Sequence, residues 1–173
     1  MFHRATLGCL AATVVLSITA IANAQPAGAT YNRAIVSSEA AQTITDTCIA
    51  TAREWSVTLA VAVVDPFGIL IDFHSMQGAS ETSGRTALLK AKTAARWRRT
   101  TAEVNQMVTS GQNIAPEWIG DFPQPGAVPI LIDGVVAGAV GVGGLGGNPH
   151  NYGIPCAVAG IEAAFGHGFT PES

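Results

Sequence analysis

The sequence predicts one α/β domain of the α+β type: an antiparallel sheet of two hairpins packed against a long central helix and against N- and C-terminal helices. Two turns and one periodicity carry this expectation. Asp133-Gly134 joins two apolar runs, and a two-residue Asp-Gly loop suits a type I′ turn, whose central positions both need positive φ. Asp65-Pro66-Phe67-Gly68 joins Thr58–Val64 to Ile69–His74, with proline and glycine at favoured turn positions. Between these hairpins, residues from Ser83 to Val108 repeat at helical spacing.

Residues 1–24 are expected to be a signal peptide rather than part of the fold. Arg4 supplies a positive n-region, Leu7 to Ile21 an apolar h-region, and Ala22-Asn23-Ala24 an A-x-A cleavage signal before Gln25. The expected location is the bacterial periplasm or the cell exterior. No later run is apolar and long enough to span a bilayer, so no membrane insertion is expected. Residues 25–33 read as a flexible lead, 34–168 as a single domain and 169–173 as a tail. The whole chain has nine Lys and Arg against twelve Asp and Glu, and loss of Arg4 makes the net charge −4. That balance disfavours nucleic acid or an anionic membrane as a partner.

The elements follow in order. Ser37 and Ser38 cap a helix running to about Trp55, with Ala40, Ala41, Ile44, Cys48, Ile49, Ala52 and Trp55 on one stripe. Asp65 is expected to bond the backbone of its own turn. In the strand that follows, a period of two puts Ile69, Ile71 and Phe73 on one face and Leu70, Asp72 and His74 on the other. In the long helix, Ala87, Ala91 and Ala94 form a small-residue packing face flanked by Leu88 and Ala95, while Arg85, Lys92 and Arg96 are solvated. Arg96, Arg98 and Arg99 also read as a solvated helix face. Thr86, Lys90, Thr93 and Trp97 lie between these faces, either as an amphipathic edge or as a pocket rim with Lys90 as anion anchor or acid/base group. Residues 111–126, with Pro116, Pro123 and Pro125, form a long irregular connection, and Ile154 to Phe165 returns as a short small-residue helix.

The second strand of the later hairpin ends in Gly138, Gly141, Gly143, Gly144, Gly146 and Gly147. This density implies close approach to the backbone, whether by a helix within the domain, a ligand or a second subunit. A phosphate loop is disfavoured, because the run follows an antiparallel hairpin and no Gly-Lys-Ser/Thr ending is present. Cys48 and Cys156 survive removal of the signal. In an oxidising compartment they can pair, and reduced they would act as small buried hydrophobes, so the sequence leaves both states open. No C-x-x-C or zinc-ligand spacing occurs, so no dedicated metal site is expected.

The order of local motifs resembles the GlcG/HbpS-like family, also described as haem-degrading or as domain of unknown function 336. The resemblance covers about residues 34 to 166. It is carried by Val63-Val64-Asp65-Pro66-Phe67-Gly68, Met76-Gln77-Gly78-Ala79, Lys90-Ala91-Lys92-Thr93-Ala94 and Pro125-Gly126-Ala127-Val128-Pro129-Ile130, followed by Asp133-Gly134-Val135-Val136-Ala137-Gly138 and Gly141-Val142. It implies helices on an antiparallel sheet and assembly into homo-oligomers, and the family includes extracellular haem-binding sensors. Gly143 stands where the family commonly has serine, and Asn148, His150 and Asn151 stand near its usual aspartate. Ser75 and Gln77 replace a common arginine and aspartate.

Three functions remain in view. The first is an exported binding protein for a small planar or aromatic molecule, with haem the leading ligand. His74, Met76, His150 or Tyr152 would be the iron donor, Arg85 or Lys90 the cation for an acidic group, and Trp97, Gly143 and Gly144 further lining. The second is a cofactor-independent enzyme acting on a small oxygenated or aromatic metabolite, with His150 as general acid/base, Lys90 assisting and glycine N–H groups stabilising an oxyanion. The third is an accessory oligomer with no ligand.

Overall fold

The computed structural model describes residues 28, 31–144 and 152–167. Among the described residues, the unit from Arg33 onward contains nine elements: α1 (Ser38–Glu54), β1 (Ala60–Val64), β2 (Leu70–Ser75), α2 (Glu81–Trp97), α3 (Thr101–Thr109), α4 (Ala115–Trp118), β3 (Ala127–Ile132), β4 (Val135–Gly143) and α5 (Gly153–Phe165). The four strands form one sheet in the order β2-β1-β4-β3, antiparallel at every step. The two hairpins are therefore joined through their inner strands, β1 and β4.

Alternation along these strands sends residues to two helical layers. Val61, Val63, Val128, Ile130, Val140 and Val142 pack with α1 and α5, whose contributions include Ile44, Cys48, Ala157 and Ile161. On the other face Ala60, Ala62, Val64, Ala127 and Ala139 meet Ala87, Ala91, Ala94 and Ala95 of α2. The first layer is built of branched residues and the second almost wholly of alanine. Small residues let α2 lie unusually close to the sheet.

The glycines of β4 complete that closeness. A Cβ on Gly141 would stand 2.2 Å from the carbonyl oxygen of Ala87 and 2.5 Å from the amide nitrogen of Ala91. One on Gly143 would stand 2.1 Å from the carbonyl oxygen of Ser83. The group that approaches the glycine-rich strand is thus the backbone of α2. Gly160 plays the same part between α5 and α1, since a Cβ there would come 2.6 Å from the Ile44 carbonyl oxygen.

Local signals explain the element ends. Asp133 and Gly134 have φ of 50° and 74°, as a type I′ turn requires. Asp65 Oδ1 accepts hydrogen bonds from the amides of Phe67 and Ile69, both at 2.8 Å. Ser37 caps α1 and Ser80 caps α2. Cys48 and Cys156 form a disulfide that joins α1 to α5, with their Cα atoms 4.9 Å apart.

Two expectations are corrected. The helix expected from Ser83 to Val108 is two helices: Arg98 adopts a left-handed conformation (φ 56°), and Thr100 with Glu103 starts α3 through a capping box. The expected faces of β2 hold for Asp72, Phe73 and His74 but not for Leu70 and Ile71. Val63 pairs with Asp72 but Val64 pairs with Leu70, leaving Ile71 as a bulge. Leu70 and Phe73 consequently share the α2 face, while Asp72 and His74 face α1, where Asp72 accepts a hydrogen bond from Thr45.

Candidate functional site

The bulge at Ile71 creates an open, mostly apolar feature on the α2 side of the sheet. By returning Leu70 and Phe73 to the α2 side of an edge strand, it forms a groove of about 460 Å³ with Gly84, Arg85 and Leu88 of α2. Leu70 and Phe73 remain 45% and 42% exposed, so both present apolar surface to solvent. Gly84 lies where a Cβ would come within 3.1 Å of the Phe73 ring, which explains a glycine in the first turns of a helix. Arg85 is exposed at the rim and Glu81 stands one turn before it. The groove offers an apolar wall, an aromatic ring, one cation in Arg85 and one acid in Glu81.

The other predicted site residues disperse. His74 is half-buried on the opposite face of β2, and Met76 packs against the core under α1. Trp97 donates its indole N–H to Asp121 at 2.6 Å, beside the Arg96–Asp121 ion pair at 2.9 Å. Thr93 accepts from the Phe122 amide and Thr101 from the Ala127 amide, both at 2.9 Å. Thr93 and Trp97 of the predicted rim therefore anchor the segment that leads from α4 into β3. Tyr152 stacks on Trp55, with ring centroids 4.8 Å apart. Gly144 is exposed at the end of β4, and a Cβ there would come within 2.9 Å of the Ser83 hydroxyl. His150 lies outside the described residues, as do Gly146 and Gly147.

Lys90 occupies a different corner. It is only 9% exposed, and its ammonium donates to the carbonyl oxygen of Val142 at 3.2 Å. Burial pushes its pKa down, because a desolvated ammonium is less stable than the neutral amine. Sequence reasoning placed Arg85 and Lys90 on different stripes of one helix, and the structure sends them to separate places. It did not anticipate Leu70, Phe73 and Leu88 as a wall, because the bulge that aligns them leaves no mark in a two-residue period. Gly84 inside a helical run was the available signal.

Residues 36–162 match the model of the family described as haem degrading protein HbpS-like. The chain belongs to that family. Protein GlcG of Escherichia coli K12 is 34% identical over 90 residues, which is 52% of this chain and 66% of GlcG. The chain thus spans just under two thirds of the curated relatives it matches. Among solved structures, a double mutant of Streptomyces reticuli HbpS superposes with a TM-score of 0.73 at 25% identity, covering 86% of this chain and 99% of that one. A Klebsiella pneumoniae protein, ORFY, gives 0.72 at 23% identity over 81% and 97% of the two chains. PduOC, solved as a complex with haem, gives 0.68 at 22% identity over 75% and 94%. This HbpS-like chain shares their fold, and its family is haem-related in name.

Proposed function

We propose that this HbpS-like protein is an exported homo-oligomer that binds a planar, largely apolar molecule carrying an acidic group, with haem the leading ligand. The observation that carries the reading is the groove between β2 and α2, where Leu70, Phe73 and Leu88 give a face for a flat ring and Arg85 a cation for a carboxylate. Family membership and the haem complex of PduOC favour haem within that class. The buried Cys48–Cys156 disulfide favours an oxidising compartment, in keeping with an export signal at residues 1–24.

The groove suits the porphyrin body and one propionate. It does not suit the iron: none of its lining residues is His, Met, Tyr or Cys, while His74 and Met76 are on the other side of β2. The reading therefore rests on ring and acid recognition, with no step assigned to the metal.

Titration with haemin and with iron-free protoporphyrin, followed by absorbance and tryptophan quenching, tests it. Both should saturate, with affinities within a few-fold of each other, and Phe73→Ala and Arg85→Glu should each weaken both. Absence of saturable binding to either porphyrin refutes the reading. Unchanged affinity in both variants removes the groove from it.

A further inference from the structure

The seam between β2 and α2 continues beyond the apolar groove. A second cavity, of about 220 Å³, lies between the β1–β2 turn and the C-terminal half of α2, lined by Pro66, Phe67, Gly68, Lys92 and Arg96. Two packing contacts fix how the cavities follow one another. Gly84 faces Phe73, where a Cβ would come within 3.1 Å of the ring, and Gly68 faces Lys92, where a Cβ would come within 3.3 Å of Cγ. As α2 runs forward from 84 to 92, the opposite wall therefore runs backward from 73 to 68. The wall of the groove ends at Leu70 and Leu88, and that of the second cavity begins at Gly68 and Lys92. The two cavities lie end to end.

Charge is laid out along the same line. Arg85, Lys92 and Arg96 are spaced by seven and four residues, which puts them on one stripe of α2, with Arg85 and Lys92 about 10 Å apart along the axis. Among the described residues, Arg85 and Lys92 have no ion pair. Arg96 is held by Asp121, whose side chain is only 4% exposed and also accepts the Trp97 indole N–H at 2.6 Å. That contact fixes the guanidinium beside the cavity and offsets its charge, so Lys92 is the uncompensated cation there. Its head is exposed, but its stem lies along Gly68, whose φ of 82° and bare Cα admit it. A pinned stem has less freedom to lose when the ammonium takes a partner. Among the described residues that line the two cavities, the one acid is Glu81, at the end beyond Arg85. Glu81 repels a second carboxylate from that end, so a ligand held by Arg85 extends its other acid toward Lys92.

We propose that the two cavities act as one elongated site for a flat diacid. The apolar body lies over Leu70, Phe73 and Leu88, one carboxylate meets Arg85, and the second meets Lys92, with Arg96 positioned beside it. This rests on the porphyrin reading of the groove and adds to it the residue that counts acids. The groove alone accounts for one propionate, whereas Lys92 makes a dicarboxylate the preferred class. The cationic stripe that reads from the sequence as a solvated face is then the acid-recognising edge of the site.

Two macrocycles separate the claims: protoporphyrin IX, with two carboxylates, and pyropheophorbide a, with one. Lys92→Gln should weaken protoporphyrin binding by about 10-fold, the scale of one charge-assisted hydrogen bond. It should leave pyropheophorbide within about twofold, because a single acid keeps Arg85. Arg53→Gln removes an exposed cation from α1, on the other side of the sheet, and should change neither ligand. Thermal melts of both variants should match the parent. The proposal is overturned if Lys92→Gln weakens both macrocycles alike, if it changes protoporphyrin affinity by less than about twofold, or if Arg53→Gln gives the same loss. A loss in Phe73→Ala with none in Lys92→Gln overturns this proposal and leaves the groove reading standing. Absence of binding by both macrocycles in the parent overturns the two together.

Discussion

The closeness of α2 to β4 makes Gly141→Ala the most informative single substitution. The added methyl would meet the Ala87 carbonyl oxygen at 2.2 Å, the Ala91 nitrogen at 2.5 Å and the Ala91 Cα at 3.0 Å. Comfortable contact needs roughly 3.5 Å, so strand and helix must part by about 1 Å. All three opposing atoms are backbone, and no rotamer change can relieve them. Overpacking a core typically costs ~1–3 kcal/mol, and a clash bounded by backbone on both sides belongs at the top of that range, about 3 kcal/mol. For a domain of this size that lowers the melting temperature by about 10 °C. Circular dichroism melts and urea titrations of parent and variant measure it. A further control distinguishes backbone from side-chain crowding: Ala91→Gly added to Gly141→Ala should give no rescue, because the clash is with atoms that glycine also has. A melting temperature within 2 °C of the parent, or full rescue by Ala91→Gly, would refute the account of why β4 is glycine-rich.

Three other outcomes are expected. Replacing both Cys48 and Cys156 with alanine removes a cross-link spanning 108 residues and should lower stability by about 2–5 kcal/mol in chemical denaturation, with the reduced parent behaving likewise. Asp65→Ala should cost about 1–3 kcal/mol and speed amide exchange at Phe67 and Ile69, the two donors it now satisfies; unchanged exchange at both would contradict the turn geometry. Lys90 has a folded-state pKa below its ordinary value of 10.5, so the unfolded chain binds more protons between the two, and stability should rise with pH across that window. Lys90→Met should lose this rise, so the urea midpoint of the parent should increase relative to that of the variant between pH 7 and 10.5.

Much of the fold was legible because turns and caps are chemically explicit. Asp133-Gly134 and Asp65 announce their geometries in the residues themselves, and Ser37 marks the start of α1. The break at Arg98 was also written down, since Thr100-Thr101-Ala102-Glu103 has the spacing of a capping box. Continuous amphipathic periodicity on both sides hid it. The bulge at Ile71 had no such mark: an extra residue in a strand depends on the partner strand and the bend required of it. That one residue decided where the groove lies, so the site was harder to read than the architecture. The glycines of β4 illustrate a different limit. Their number revealed a close approach, but only the tertiary structure identifies α2 as the approaching element.

Helices α1 and α5 are neighbours, joined by a disulfide and by the fit of Gly160 against Ile44, and the inner edge of β1 is completed by β4. A polypeptide delivered N-terminus first consequently presents α1, β1, β2 and α2 for most of its synthesis without the partners that cover them. The apolar stripe of α1 stays bare, and one edge of β1 offers unpaired backbone to any other strand, the condition that promotes misassembly. Closure waits for residues beyond 153, and covalent locking waits for Cys156. Removing α5 therefore does not trim a finished domain. It withholds the step that finishes it.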